Sequence, residues 1–248
     1  MVRIIIILSK EKILFFLSLL GIGLTLALVA PFLLRTAPAG SKLKKATILI
    51  DPGHGGIDGG TQDAQGHLEK DINLAIGLKI RDYLRQSGVN VVMTREDDRE
   101  LAPYEPGRSG RHRRDLSSRI EQAKKAKALF LVSIHCDWST DPKRRGMVAF
   151  YFYRNPAGKK LALAIQEELN KIQPTPHTAA PGRYFILEQP GVTGVIVEVG
   201  FLSHPEEAAL LRQTAYQDKI AFHIARGILQ VLPDFLTEQA PVAPDPAS

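Results

Sequence analysis

Residues 48–60 read ILIDPGHGGIDGG, and the fold of the chain turns on that stretch. Ile48, Leu49 and Ile50 suit a buried strand, and the run of turn formers that follows ends it abruptly. His54 stands between Gly53 and the pair Gly55 and Gly56, so little crowds its imidazole and the backbone can approach a ligand closely. Such a place suits a metal ligand. Read alone, it equally suits a glycine-rich turn with an incidental histidine.

Downstream, HLEKDINLAIGLKIRDYL (residues 67–84) places Leu68, Ile72, Ile76, Ile80 and Leu84 on one stripe at helical spacing. Glu69 therefore opens an amphipathic helix, which ends near Gly88. Val89 to Thr94 is a second strand, so strand, helix and strand make one right-handed parallel crossover. ALFLVSIHCDW (residues 128–138) suits a strand buried on both faces and delivers His135 at its far end. In α/β folds, sites lie outside the carboxyl ends of strands, and His54 and His135 both occupy that kind of position. GVIVEVGFLSHPEE (residues 194–207) puts Glu198 inside a β-branched run, where an unpaired charge is expensive to bury. A salt bridge to an arginine would account for that glutamate alone. Set beside two strand-end histidines and a helix-start glutamate, it is a candidate general base. The expected fold class is α/β, with a mixed, largely parallel central sheet flanked by helices.

Four separated motifs in this order, DPGHGG, LEKDINL, SIHCDW and VEVGFLS, resemble the zinc-dependent N-acetylmuramoyl-L-alanine amidases of bacterial cell walls, of the Amidase_3 type. The resemblance runs from about Ala46 to about Leu232. Within the family, MTREDDRELAP followed by RSGRHRRDLSSRI looks most like the sporulation and germination-specific branch that processes spore cortex. It implies the family's phosphorylase/hydrolase-like fold, His54, Glu69 and His135 as ligands of one Zn²⁺, and Glu198 as the catalytic carboxylate. Two neutral imidazoles and a carboxylate would leave a tetrahedral zinc with its fourth position open to water, whose pKa zinc lowers from about 15.7 to near 7. Glu198 would take a proton from that water and return it to the departing amine of L-alanine. The implied substrate is peptidoglycan. A zinc peptidase acting on another wall-peptide amide, and a non-catalytic wall-binding protein, are the alternatives.

A length of 248 residues with 44% hydrophobic content suits one globular domain of about 190 residues plus appendages. The domain is expected at 46–232. Residues 1–12 form a short flank, and 13–34 are 22 residues without a charge, long enough to cross a bilayer of about 30 Å as a helix. An uncleaved membrane anchor is expected there, with cleavage after Ala37-Pro38-Ala39 as the alternative, and an extracytoplasmic domain follows from the substrate the family cuts. Residues 35–45 are a basic linker, and from Pro233 to 248 the chain reads as a disordered proline-rich tail.

Arg95 to Arg114 reads as a loop, with Arg108, Arg111, Arg113 and Arg114 either on a solvated surface or in contact with stem-peptide carboxylates or anionic wall polymer. The net charge of +6 would also attract nucleic acid, but no reader motif accompanies it, and none is expected as a partner. Lys143, Arg144 and Arg145 lie beside the presumed cleft. Asp115 is expected to cap the next helix, Asn155 with Pro156 to start another, and Ser203 with Glu206 and Thr214 with Gln217 to form capping boxes. Asp51, one of two aspartates flanking His54, is the expected acceptor for an imidazole. His67 reads as solvated; His112, His177 and His223 carry no assigned role. His204 and Asp137 stand where the family more usually has asparagine. Cys136, the sole cysteine, precludes an intramolecular disulfide and, by strand alternation, points away from His135. Oligomeric state is not legible.

Overall fold

The computed structural model describes residues 43, 46–103, 105, 110–189 and 191–238. The expected anchor at 13–34 lies outside them, and no described helix is long and apolar enough to cross a membrane. The elements run β1 (Thr47–Pro52), α1 (Glu69–Gln86), β2 (Asn90–Met93), α2 (Arg111–Lys125), β3 (Phe130–Asp137), β4 (Val148–Tyr151), α3 (Pro156–Leu169), β5 (Ala180–Pro181), β6 (Gly194–Phe201), α4 (Pro205–Leu211) and α5 (Thr214–Glu238).

The six strands form one sheet in the order β2-β1-β3-β6-β4-β5. β1 pairs in parallel with β2 and β3, and β3 with β6; β4 runs antiparallel to β6 and parallel to β5. The expected mixed, largely parallel sheet is thus present. Alternation along each strand sends side chains to opposite faces. On one face Ile48, Ile50, Val132 and Val197 pack under α1, α3 and α5 in the larger core. On the other, Leu49, Leu131 and Ile196 pack against Ile120 and Ala123 of α2 and against Ile186 and Leu187. The α2 face is thinly covered, and the polar chemistry collects there.

Four local expectations are corrected. Residues 111–114 belong to α2, not to a loop: left-handed Gly110 (φ 77°) precedes it, and its polar first turn hides the hydrophobic period. Asp115 accordingly sits inside α2 and does not cap it. Pro233 does not end the last helix, which continues to Glu238. Val231, Leu232 and Phe235 are buried there, Phe235 standing edge-on to Phe130 with ring centroids 4.9 Å apart, and this packing outweighs the cost of proline in a helix. The cap of α4 is His204, whose ring accepts from the Glu207 amide, not Ser203. Asn155 caps α3 as expected, accepting from Gly158 N.

Candidate metal centre and active site

The α2 face of the sheet is laid out in rows. Leu49 and Leu131 form an apolar row, Asp51 and Ser133 are register partners in the next, and His135 and Glu198 in the one beyond. Same-face rows two residues apart are what a pleated sheet dictates, so the site begins one step past a buried polar layer.

His54 lies just beyond β1 in a left-handed conformation (φ 61°), which a non-glycine residue adopts only when its surroundings hold it. Those surroundings are two buried arginines. Arg119 of α2 donates to His54 O (2.9 Å) and Pro52 O (3.0 Å), while Arg95 donates to Gly53 O (2.9 Å) and Pro52 O (3.0 Å). Arg119 is in turn held by Asp51 (2.6 Å) and Asp115 (2.8 Å). Further out, Asp98 accepts from Gly56 N (2.8 Å) and Lys70 Nζ (2.7 Å). Two glycines are sterically required. A Cβ on Gly53 would lie on the His135 ring, and one on Gly60 would crowd the Glu69 carboxylate and the His54 ring.

His54 Nε2 and His135 Nδ1 converge on Glu69 Oε1 at 3.1 and 3.0 Å. The three ligand atoms lie within 4.8 Å of one another, a spacing that one ion can bridge. Glu69 is the first residue of α1, where the helix dipole favours a carboxylate, and it is 3% exposed. It also accepts from Thr61 N (2.9 Å), Cys136 N (3.0 Å) and Asn73 Nδ2 (3.1 Å). Burial alone would raise its pKa, but hydrogen bonds and charge from His135 and His54 outweigh burial and hold it well below the usual carboxylate range. The His54 ring is fixed from behind by Asp58, whose Oδ1 lies 2.9 Å from Nδ1. A proton held there leaves the Nε2 lone pair facing the cluster. Burial lowers the His54 pKa, but Glu69 and Asp58 raise it more.

Glu198 differs. Its Oε2 is buried and has no hydrogen-bond partner among the described residues. Burial pushes its pKa up to about 7, opposed by the His135 charge and reinforced by Glu69 and Asp137. An orphaned carboxylate oxygen beside three converging ligand atoms is what a divalent ion and its water would complete, so the residues present fit zinc. The cavity here is about 170 Å³, and His54, His135, Glu198, Tyr184, Phe185 and Ile186 are among the residues that line it.

All four residues singled out from sequence are brought together. Asp51 is not the imidazole's acceptor: it takes hydrogen bonds from Arg119, Ser133 (2.7 Å) and Thr94 (2.7 Å), and Asp58 fills the expected role. The Cys136 thiol is buried against Asn73 (3.6 Å), with burial raising its pKa well above the ordinary value, and only the backbone amide of this residue reaches the cluster. His67 bonds Asp63 (3.0 Å), which also receives Arg212. His223 bonds Glu168 (2.9 Å). Arg111 approaches Asp58 (3.5 Å) and Arg113 lies over the Phe185 ring (4.8 Å), so the arginine run turns partly inward to the cavity wall; Arg108 lies outside the described residues. Asn73, Arg95 and Arg119 went unremarked in the sequence. Only Asn73 left a local signal, four residues beyond Glu69 on the same helical face.

Residues 48–230 match the family model described as Amidase_3, N-acetylmuramoyl-L-alanine amidase. The chain belongs to this amidase family. It is similar to the germination-specific N-acetylmuramoyl-L-alanine amidase of Bacillus subtilis (strain 168), with 40% identity over 186 residues covering 74% of this chain and 78% of that protein. Similarity to the N-acetylmuramoyl-L-alanine amidase AmiA of Escherichia coli (strain K12) is 27% over 270 residues, covering 88% of this chain and 89% of that protein. Among solved structures, the CwlD amidase from Clostridioides difficile in complex with the GerS lipoprotein superposes with a TM-score of 0.73 at 36% identity, covering 77% of this chain and all of that one. The mixed α/β architecture is thus that of an amidase domain.

Proposed function

We propose that this amidase hydrolyses the bond between the lactyl carbonyl of N-acetylmuramic acid and the amine of L-alanine in peptidoglycan, and that spore cortex is its natural substrate. The observation that carries the chemistry is the buried Oε2 of Glu198, without a partner among the described residues, beside the converging His54, Glu69 and His135. The germination-specific B. subtilis relative supports the cortex assignment. His54, Glu69 and His135 are proposed to hold one zinc ion, which when bound would supply Lewis acidity to water and to the carbonyl oxygen.

The chain's own residues account for the rest. Glu69 is locked by Thr61, Cys136 and Asn73, and His54 by Asp58, so the ligand set is organised before anything binds. Glu198 Oε2 takes the proton from the attacking water as the new C–O bond forms, then delivers it to the nitrogen as the C–N bond breaks. A carboxyl poised near neutrality suits both halves of that exchange. The Tyr184 to Ile186 wall keeps bulk water from the carboxylate and sustains its basicity. The uncharged segment 13–34 is proposed to anchor the domain on the outer side of the membrane, where peptidoglycan lies; that rests on sequence alone.

The test is product analysis. Full-length chain incubated with intact sacculi or cortex is expected to release peptides with a new L-alanine amino terminus and to leave a free lactyl carboxyl, and a chelator is expected to stop it. A new carboxyl end within the peptide would instead make it a peptidase.

A further inference from the structure

Beside Glu198, on the side away from β3, lies a groove of about 320 Å³ lined by Asp137, Lys143, Arg144, Arg145, Val148 and Phe201, among others. Val148 of β4 is the register partner of Glu198, so the groove begins one strand spacing, roughly 5 Å, from the proposed base. The backbone that carries its cations is held in place. Asp141 accepts from the backbone amides of Lys143 (Oδ1, 3.0 Å) and Arg144 (O, 3.1 Å), which fixes the turn that carries them. The Arg144 guanidinium lies 5.5 Å over the Phe201 ring. Arg145 is paired with Glu206 at 3.2 Å. Among the described residues, neither Lys143 nor Arg144 has an acidic partner.

We propose that Lys143 and Arg144 bind a free carboxylate of the stem peptide that departs with the L-alanine amine. This rests on the amidase reading and adds the polarity of substrate binding to it. Glu198 hands its proton to the leaving nitrogen, so the peptide must extend from the Glu198 side of the cluster, and this groove opens there. The leaving peptide has a nascent ammonium at one end and carboxylates further along. The groove matches that order, with Asp137 at the end of β3, two residues past His135, and the cations on the turn beyond it. A guanidinium stacked on a ring and, among the described residues, without an acidic partner is suited to a carboxylate, which it meets through two parallel hydrogen bonds.

The decisive experiment compares two muramoyl-peptide substrates, one with free side carboxylates and one with those groups amidated, using full-length wild type and the double variant Lys143→Gln/Arg144→Gln. The variant is expected to raise KM for the acidic substrate about tenfold or more, and to leave kcat and the amidated substrate nearly unchanged. Equal loss on both substrates, or loss on neither, overturns the proposal. Calorimetric binding of the released acidic peptide provides a readout free of catalysis: wild type is expected to bind it more tightly than the variant, with an advantage that fades as salt rises. Should wild type cleave neither substrate, the amidase reading fails, and the binding difference still decides the groove.

Discussion

Two adjacent rows on the α2 face of the sheet hold buried charge in opposite ways. In the inner row, Asp51 receives Arg119, Ser133 and Thr94, and Arg119 is closed off by Asp115 and two backbone carbonyls. In the outer row, two residues along, His135 and Glu198 line the cavity, and one Glu198 carboxylate oxygen has no partner among the described residues. The inner row places the loop backbone; the outer row keeps reactive atoms unsatisfied. A buried polar group without a partner is costly, and so points to a ligand or a reaction; a fully satisfied one points to architecture.

Glu198→Gln breaks the contrast most directly, because it removes the only orphaned proton carrier of the outer row while preserving shape. Turnover is expected to fall about 10²–10⁴-fold, with metal content by mass spectrometry unchanged. Retained activity would reject Glu198 as the base. Arg119→Met attacks the inner row. Leaving Asp51 and Asp115 buried without their cation is expected to cost about 3–5 kcal/mol, read as a lowered denaturant midpoint. If the variant is as stable as wild type, the inner row is not what places His54.

The same contrast explains what was legible in the chain. His54, Glu69, His135 and Glu198 each sit at a visible break: a glycine cluster, a helix start, the end of an apolar run, a charge within a β-branched strand. Functional atoms interrupt local patterns, and interruptions are readable. The sheet followed from the same apolar runs. The inner row was not readable, because Asp51 to Arg119 spans 68 positions and no break in the local pattern marks Arg119. Asp58 was passed over for Asp51 because both flank His54; only the turn geometry, with Gly55 and Asp58 exchanging backbone hydrogen bonds, decides which reaches Nδ1. Pro233 misled because its rule is local, whereas the burial of Phe235 is tertiary.

Proton linkage sharpens the comparison further. The folded-state pKa of Glu198 is raised to about 7, so the native state of metal-free protein binds more protons than the unfolded chain between the ordinary carboxylate range and neutrality. Its contribution to stability is therefore fully present at low pH and is lost as pH rises through 7. Relative to wild type, metal-free Glu198→Gln is expected to gain stability on the order of 2 kcal/mol between pH 5 and 8, measured by denaturant unfolding across that range. Asp51, held low by Arg119 against the effect of burial, carries the opposite sign and is common to both proteins, so it cancels in the difference.

The smallest effect belongs to Asp58, which fixes the ring of His54, the loop residue that meets the outer row at Glu69. Its carboxylate lies 2.9 Å from His54 Nδ1, also accepts from Gly60 N (3.2 Å), and has Arg111 at 3.5 Å. Burial raises its pKa, but His54, the Gly60 amide and Arg111 outweigh that and keep it ionised. Asp58→Asn preserves volume and one acceptor oxygen but removes the charge that favours a proton on Nδ1. Zinc affinity is expected to fall about tenfold with the fold intact, as judged by competition with a chromogenic chelator and an unchanged denaturant midpoint. Unchanged affinity would mean that Gly55, Gly56 and the two arginines hold the imidazole without help. A larger loss accompanied by unfolding would put Asp58 with the architecture of the inner row, and the boundary between placing and reacting would then lie one residue closer to the metal centre.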